Sequence, residues 1–126
     1  MAVRVLMTAF VVTLFCCAAD AFSKSGRPIR NTTLRLSATA YCQHGRTKSG
    51  VQTREGIVAA DPRRFPIGTR IRIIAPTAYA GVYSVEDTGA RVKGRELDIF
   101  MPSCSKARKF GRRAVEVRVL DSTARR

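Results

Sequence analysis

The sequence has no tryptophan, three tyrosines and a single histidine, His44. The shortage of large aromatics weighs against a binding platform of stacked rings. A lone histidine leaves a zinc site of the usual kind short of ligands, because such sites draw on several His and Cys side chains. No metal site and no cofactor is therefore expected. Acidic residues are scarce as well, nine Asp and Glu against 23 Lys and Arg, which gives a formal net charge of +14. A field of that sign favours polyanionic partners. Nor is there an apolar run of the ~20 residues that an ordinary membrane span needs.

The longest uncharged run, Val5 to Ala19, follows one basic residue, Arg4, and carries Leu6, Phe10, Val11, Val12, Leu14 and Phe15. It ends at Ala19-Asp20-Ala21, a small-x-small cleavage pattern. Residues 1–21 are thus read as a secretory signal peptide, cut before Phe22. Cys16 follows Phe15 and Cys17 follows another cysteine, so neither has the small residue that precedes a lipid-modified cysteine. Removing 21 of 126 residues leaves 105, enough for one domain with one core. Export moves the expected partner of the basic surface from nucleic acid to the cell envelope, where wall peptides carry carboxylates and lipids carry anionic head groups. A merely solubilising surface is the alternative. The expected state is a secreted or periplasmic monomer, associated with the envelope, without a membrane span after cleavage and without a nucleic-acid partner.

Four cysteines become two after cleavage, Cys42 and Cys104, in a compartment that permits pairing. They are expected to form a disulfide; two buried free thiols are the alternative. Residues 22–33 are polar, basic and without periodicity, and read as a linker. From Leu34 onward, short runs rich in β-branched and aromatic residues are each closed by Gly or Pro, the punctuation of an all-β domain. Six strands are predicted: Leu34 to Tyr41, Gly56 to Ala60, Arg70 to Ile74, Val82 to Asp87, Glu96 to Phe100 and Ala114 to Leu120. One helix fits Ser103 to Phe110, with Ser103 as N-cap and Gly111 just past its end. Six short strands in one small domain, residues 34–120, are better served by closing into a barrel than by exposing edges. Residues 121–126 form a basic tail.

Three aspartates stand where a plain surface residue is not needed. Asp61 closes Ile57-Val58-Ala59-Ala60 and precedes Pro62, which removes a backbone donor; its carboxylate is placed to cap the turn Asp61-Pro62-Arg63-Arg64. Asp87 closes Tyr83-Ser84-Val85-Glu86 and opens Thr88-Gly89, where turn-making competes with a functional role. Asp98 lies inside a strand among Leu97, Ile99 and Phe100. If Leu97 and Ile99 face the core, Asp98 faces a cleft or solvent. Partial burial beside Phe100 and a like charge on Asp87 would both raise its pKa, the condition for a general acid near neutral pH.

These motifs, taken together, resemble a known family. Thr39-Ala40-Tyr41, Gly45 with Thr47, Ser49-Gly50, Gly56 to Pro62, Pro66-Ile67-Gly68-Thr69-Arg70, Tyr83, Glu86-Asp87-Thr88-Gly89, Lys93-Gly94, Leu97-Asp98-Ile99-Phe100, and Phe110 to Arg113 with Val115 to Leu120 are similar to the 3D domain. That domain is named for its three aspartates and is shared by the membrane-bound lytic transglycosylase A family and by small secreted muralytic proteins. The resemblance implies a six-stranded double-psi β-barrel with the aspartates at one glycan-binding groove. It further implies that Asp98 acts as single acid and base on the bond between N-acetylmuramic acid and N-acetylglucosamine in peptidoglycan glycan strands. Asp98 would close a 1,6-anhydro ring, with Asp87 as its catalytic neighbour. Asp61, Thr88, Gly89, Lys93 and Tyr41 would hold the substrate. The alternative is a non-catalytic glycan-binding barrel of the expansin or barwin type.

Overall fold

The computed structural model describes residues 32–122. The segment expected to be a leader, residues 1–21, and most of those expected to be a linker and a basic tail lie outside the described residues. Six strands form the body: β1 (Thr33–Tyr41), β2 (Ile57–Ala60), β3 (Arg70–Ala75), β4 (Gly81–Asp87), β5 (Glu96–Phe100) and β6 (Arg113–Asp121). Among the described residues, one α-helix, α1 (Cys104–Phe110), and a 3-10 turn at Thr77–Tyr79 complete the elements. The strands close in the order β1-β5-β2-β4-β3-β6. β1 with β5 and β2 with β4 run parallel, and the other four pairings are antiparallel. Closure leaves no unpaired edge.

Alternation decides which side chains enter the barrel. In β3, Ile71 and Ile73 are fully buried while Arg70 and Arg72 are exposed; in β6, Val115 and Val117 are buried while Glu116 is exposed. Leu36 and Ala38 of β1, Val58 and Ala60 of β2, Val85 of β4, and Leu97 and Ile99 of β5 complete the interior. Each such aliphatic side chain contributes roughly 1.5 to 3 kcal/mol by leaving water.

The helix closes one side of the barrel. Ser103 accepts the Lys106 N–H at 3.3 Å, which caps its first turn, and Gly111 ends it with φ of +59°. Ala107 and Phe110 face inward, and the Phe110 ring meets Tyr79 edge-on at 4.7 Å. The Arg113 guanidinium lies 4.6 Å from the Phe110 ring centre and 5.1 Å from that of Tyr79, a stacked cation that covers the aromatic pair. The disulfide Cys42–Cys104 joins the residue after β1 to the first residue of α1, with 62 residues of separation and Cα atoms 5.1 Å apart. No helix among the described residues is long and apolar enough to cross a membrane.

Candidate functional site

Two acidic side chains are brought level by strand register. Leu97 and Ile99 point into the core at 1% and 2% exposure, so Asp98 between them points outward and is half-buried. Its Cα partners are Thr39 on β1 and Ala59 on β2. Ala59 is in turn the partner of Asp87 on β4. A register shift between Val58 and Ala59 takes the pairing from Val85 directly to Asp87, passing over Glu86. A bulge of this kind re-aims the side chains beyond it. Here it sets Asp87 opposite Ala59 and so level with Asp98, on the far side of a single strand.

Asp98 and Asp87 line a groove of about 320 Å³ together with Tyr41, Thr88, Gly89, Ala59 and residues of the 43–53 loop, including His44. Burial, and secondarily the charge of Asp87, push the Asp98 carboxyl above the ordinary range; the Thr39 hydroxyl and Arg112 act the other way. The Thr39 hydroxyl donates to Asp98 Oδ1 at 3.0 Å. Asp87 Oδ1 accepts the backbone N–H of Lys48 at 3.0 Å and that of Thr88 at 2.9 Å, which ties the 43–53 loop to the end of β4. A Cβ at Gly89 would stand 2.7 Å from Val92 Cγ2, so any larger residue there would force Val92 to shift.

Tyr41 ends β1 in the same groove. Its ring meets Phe100 edge-on at 5.4 Å, and its hydroxyl is buried without a hydrogen-bond partner among the described residues. Burial, then Asp87 and Asp98, push its pKa up to about 12. The phenol therefore stays protonated, a buried donor with no partner among the described residues. His44, which lines the same groove, also meets the Phe100 ring edge-on, at 5.3 Å.

Asp61 and Lys93, the other two residues expected at the site, are not among those that line the groove. Asp61 is 2% exposed and its carboxylate is fully engaged. Arg63 donates to it from its backbone N–H at 3.0 Å, from Nε at 3.2 Å and from Nη2 at 3.1 Å, and Gly94 N–H donates at 2.9 Å. Gly94 reaches that position with φ of +59°, which glycine adopts without a steric penalty. The turn-capping role read from Asp61-Pro62 is the one seen, and it extends to the 88–95 loop, whose Lys93 side chain is exposed.

The side-chain bonds from Arg63, followed by the two backbone bonds, hold the Asp61 carboxyl well below the usual range. An acid with a lowered folded pKa stabilises the fold above its unfolded value and loses that contribution as pH falls. Asp61→Asn is accordingly expected to lower the thermal midpoint at pH 7. The gap from the parent should close as pH drops below the ordinary carboxylate value of 3.8. Thermal melts across a pH series check this, and a pH-independent gap would count against the assignment.

Sequence reasoning assigned no role to Thr39 or Ala59 at the site. Thr39 lies within a recognised motif, but its contact with Asp98 crosses 59 residues of chain, and Ala59 reads simply as core. Among the described residues, no group of three or more His, Cys, Asp or Glu is placed to hold a metal ion.

Residues 56–121, just over half of the chain, match the profile of the 3D domain. The cell wall-binding protein YocH of Bacillus subtilis is 32% identical over 97 residues, covering 70% of this chain and 32% of that protein. YabE of the same organism, whose name gives it a cell wall shaping role, is 29% identical over 97 residues, covering 70% and 23%. Among solved structures, MltA from Escherichia coli, described as a lytic transglycosylase fold, superposes with a TM-score of 0.53 at 20% identity over 63% of this chain and 28% of its own. MltA with bound chitohexaose gives 0.52 at 18% identity, over 62% and 28%. At that identity the likeness is one of fold. The chain spans about a third or less of the length of each of these proteins.

Proposed function

Because the chain belongs to the 3D domain family, we propose that it cleaves peptidoglycan glycan strands by a lytic transglycosylase reaction at the Asp98 groove. The observation that supports this most is the environment of Asp98. It is a half-buried carboxyl whose pKa is raised by burial, level with a second acid, in a groove of about 320 Å³.

Protonated Asp98 gives its proton to the glycosidic oxygen between N-acetylmuramic acid and N-acetylglucosamine, and the bond from that oxygen to C1 breaks. The C6 hydroxyl oxygen of the muramyl residue bonds to C1, and its proton passes to the Asp98 carboxylate. The acid returns to its starting state and no water is consumed. Most glycosidases need two carboxyls, the second to attack or to activate water. Here the nucleophile is already part of the substrate and is presented at high effective concentration, so one acid can serve both proton transfers. Asp87 favours the protonated form of Asp98 before the reaction, and its negative charge stabilises the positive charge that develops at C1 during it. Thr88 and Gly89 form a wall against the sugar, and Lys93, on the same loop but outside the groove lining, supplies a cation at its border.

The Tyr41 hydroxyl donates a hydrogen bond to a sugar oxygen. Tyr41→Phe is expected to lower kcat/KM about five- to tenfold, the size of one lost neutral hydrogen bond of about 1 kcal/mol, while leaving the thermal midpoint equal or higher. Rates of product release beside thermal melts test both halves; a Tyr41→Phe protein as active as its parent would remove the tyrosine from the substrate site.

A second reading, wall binding without cleavage, is favoured by the net charge of +14 and by the name of the related wall-binding protein. The two separate when the full chain is incubated with purified sacculi and the soluble fraction is analysed by mass spectrometry. Cleavage releases anhydro-muropeptides. A protein that sediments with the sacculi and releases none is a binder. The proposal includes export, with residues 1–21 as a removed leader, residues 22–33 as a linker, and action at the cell envelope as a monomer.

A further inference from the structure

A second depression, of about 450 Å³, adjoins the Asp98 groove and has a different character. Its walls are largely aromatic and aliphatic: Tyr79, Tyr83, Phe100 and Met101. Lys106 and Lys109, three residues apart on α1 and so on one face of the helix, add two cations at its border. Neither lysine forms a salt bridge among the described residues, and both are exposed. Glu55 supplies the one acid of the lining.

Phe100 is the partition between the two depressions. It lines this one, while its ring contacts Tyr41 and His44 of the other. Asp98 and Phe100 are two residues apart on β5, a rise of about 7 Å along the strand. A ligand held at Asp98 therefore needs only about two residues of extended chain, at roughly 3.5 Å each, to enter the second depression.

We infer that this depression takes the peptide attached to the muramyl residue, its carboxylates at Lys106 and Lys109, its amine at Glu55 and its aliphatic portion against Tyr79, Tyr83 and Met101. The inference rests on the reading of the Asp98 groove as the glycan site. The charges argue for this occupant: two cations and one anion around an apolar floor match a short peptide with more than one carboxylate and a free amine. A stripped sugar chain keeps only the lactyl carboxylate of each muramyl residue and has no amine. The site thus selects peptide-bearing glycan over stripped glycan.

The test uses the full chain carrying Asp98→Asn, so that ligand is not consumed, with two probes. One is a purified glycan fragment bearing its peptides, and the other is the same fragment after an amidase has removed them. Calorimetry is expected to show the peptide-bearing fragment bound at least about tenfold more tightly, the worth of one charge-assisted contact. The double substitution Lys106→Glu and Lys109→Glu is expected to bring the ratio within about twofold while the peptide-free fragment binds as before. Lys106→Gln with Lys109→Gln serves as a milder variant that keeps the helix charge pattern closer to neutral. Equal affinity for the two fragments, failure to bind either, or a preference that survives both substitutions overturns the inference. The glycan reading is judged separately, by binding of the peptide-free fragment and by anhydro products from the unsubstituted chain.

Discussion

The Asp98→Asn protein is expected to release anhydro-muropeptides at least about a hundredfold more slowly than its parent, the low end of what a positioned general acid contributes. It is also expected to melt at the same temperature or higher. Both outcomes come from one cause. Burial raises the Asp98 pKa, so the ionised carboxylate is the form the fold disfavours. A group with a raised folded pKa stabilises the fold below its unfolded value, and that contribution is lost as pH climbs through the folded value. Above the unfolded carboxylate value the parent therefore bears a cost, as a half-buried charge or as a proton taken up on folding. Asn has nearly the same shape and no charge, and it still accepts from Thr39, so the cost disappears. The stability advantage of the variant should be visible at pH 7 and fade as pH falls below 3.8. Activity and melting point move in opposite directions only if the residue is poised for reaction rather than for structure. A variant that keeps its activity, or that loses activity and melting temperature together, would sink the assignment.

Replacing Cys42 and Cys104 together by alanine is expected to remove a large share of the domain's stability. The bridge closes 62 residues, and in the chain-entropy account a loop of that size stabilises by about 4 kcal/mol. For a domain of this length that corresponds to a fall of roughly 15 to 30 °C in Tm. A second consequence is local. Cys42 follows Tyr41 directly, and the loop that it starts carries His44 to the groove. Without the bridge, that wall is tied mainly through Asp87 to the Lys48 N–H and through Glu86 to the Ser49 N–H. Activity should therefore decline at temperatures where circular dichroism still reports an intact barrel. Melts and activity measured side by side, with and without a reductant, decide the matter. A melting point within a few degrees of the parent would mean that the bridge adds little to what the barrel already holds.

The strands were legible because their signals are local. Ile71 and Ile73 alternate with arginines, Val115 and Val117 flank Glu116, and Gly or Pro closes most runs; the predicted strands agree with the observed ones to within a residue at either end. Ser103 and Gly111 bracketed the helix for the same reason. Asp98 was legible as an oddity, a charge within an apolar strand. What it faces was not, because Thr39 and Ala59 come from strands far away in the chain, and one of those pairings is parallel. Asp87 shows the limit more sharply. Simple alternation sets Glu86 and Asp87 on opposite faces, and only the skipped residue in the β2–β4 register brings Asp87 opposite Ala59. For Asp61, the adjacent Pro62 gave the turn-capping reading, but the bond from Gly94, 33 residues further on, lies beyond any local signal.

Ala59 separates the two acids of the groove by the width of one strand. That spacing belongs to the barrel's frame, and nothing in the surrounding loops can stretch or shrink it. Away from the anchored positions Cys42, Lys48, Gly89 and Gly94, the loops 42–53 and 88–95 can consequently trade one wall lining for another, while the distance between the acids stays as it is. Specificity and chemistry are thereby mounted on separate parts. The methyl group at position 59 is the narrow point at which they meet, where any larger side chain would grow into the space between the acids.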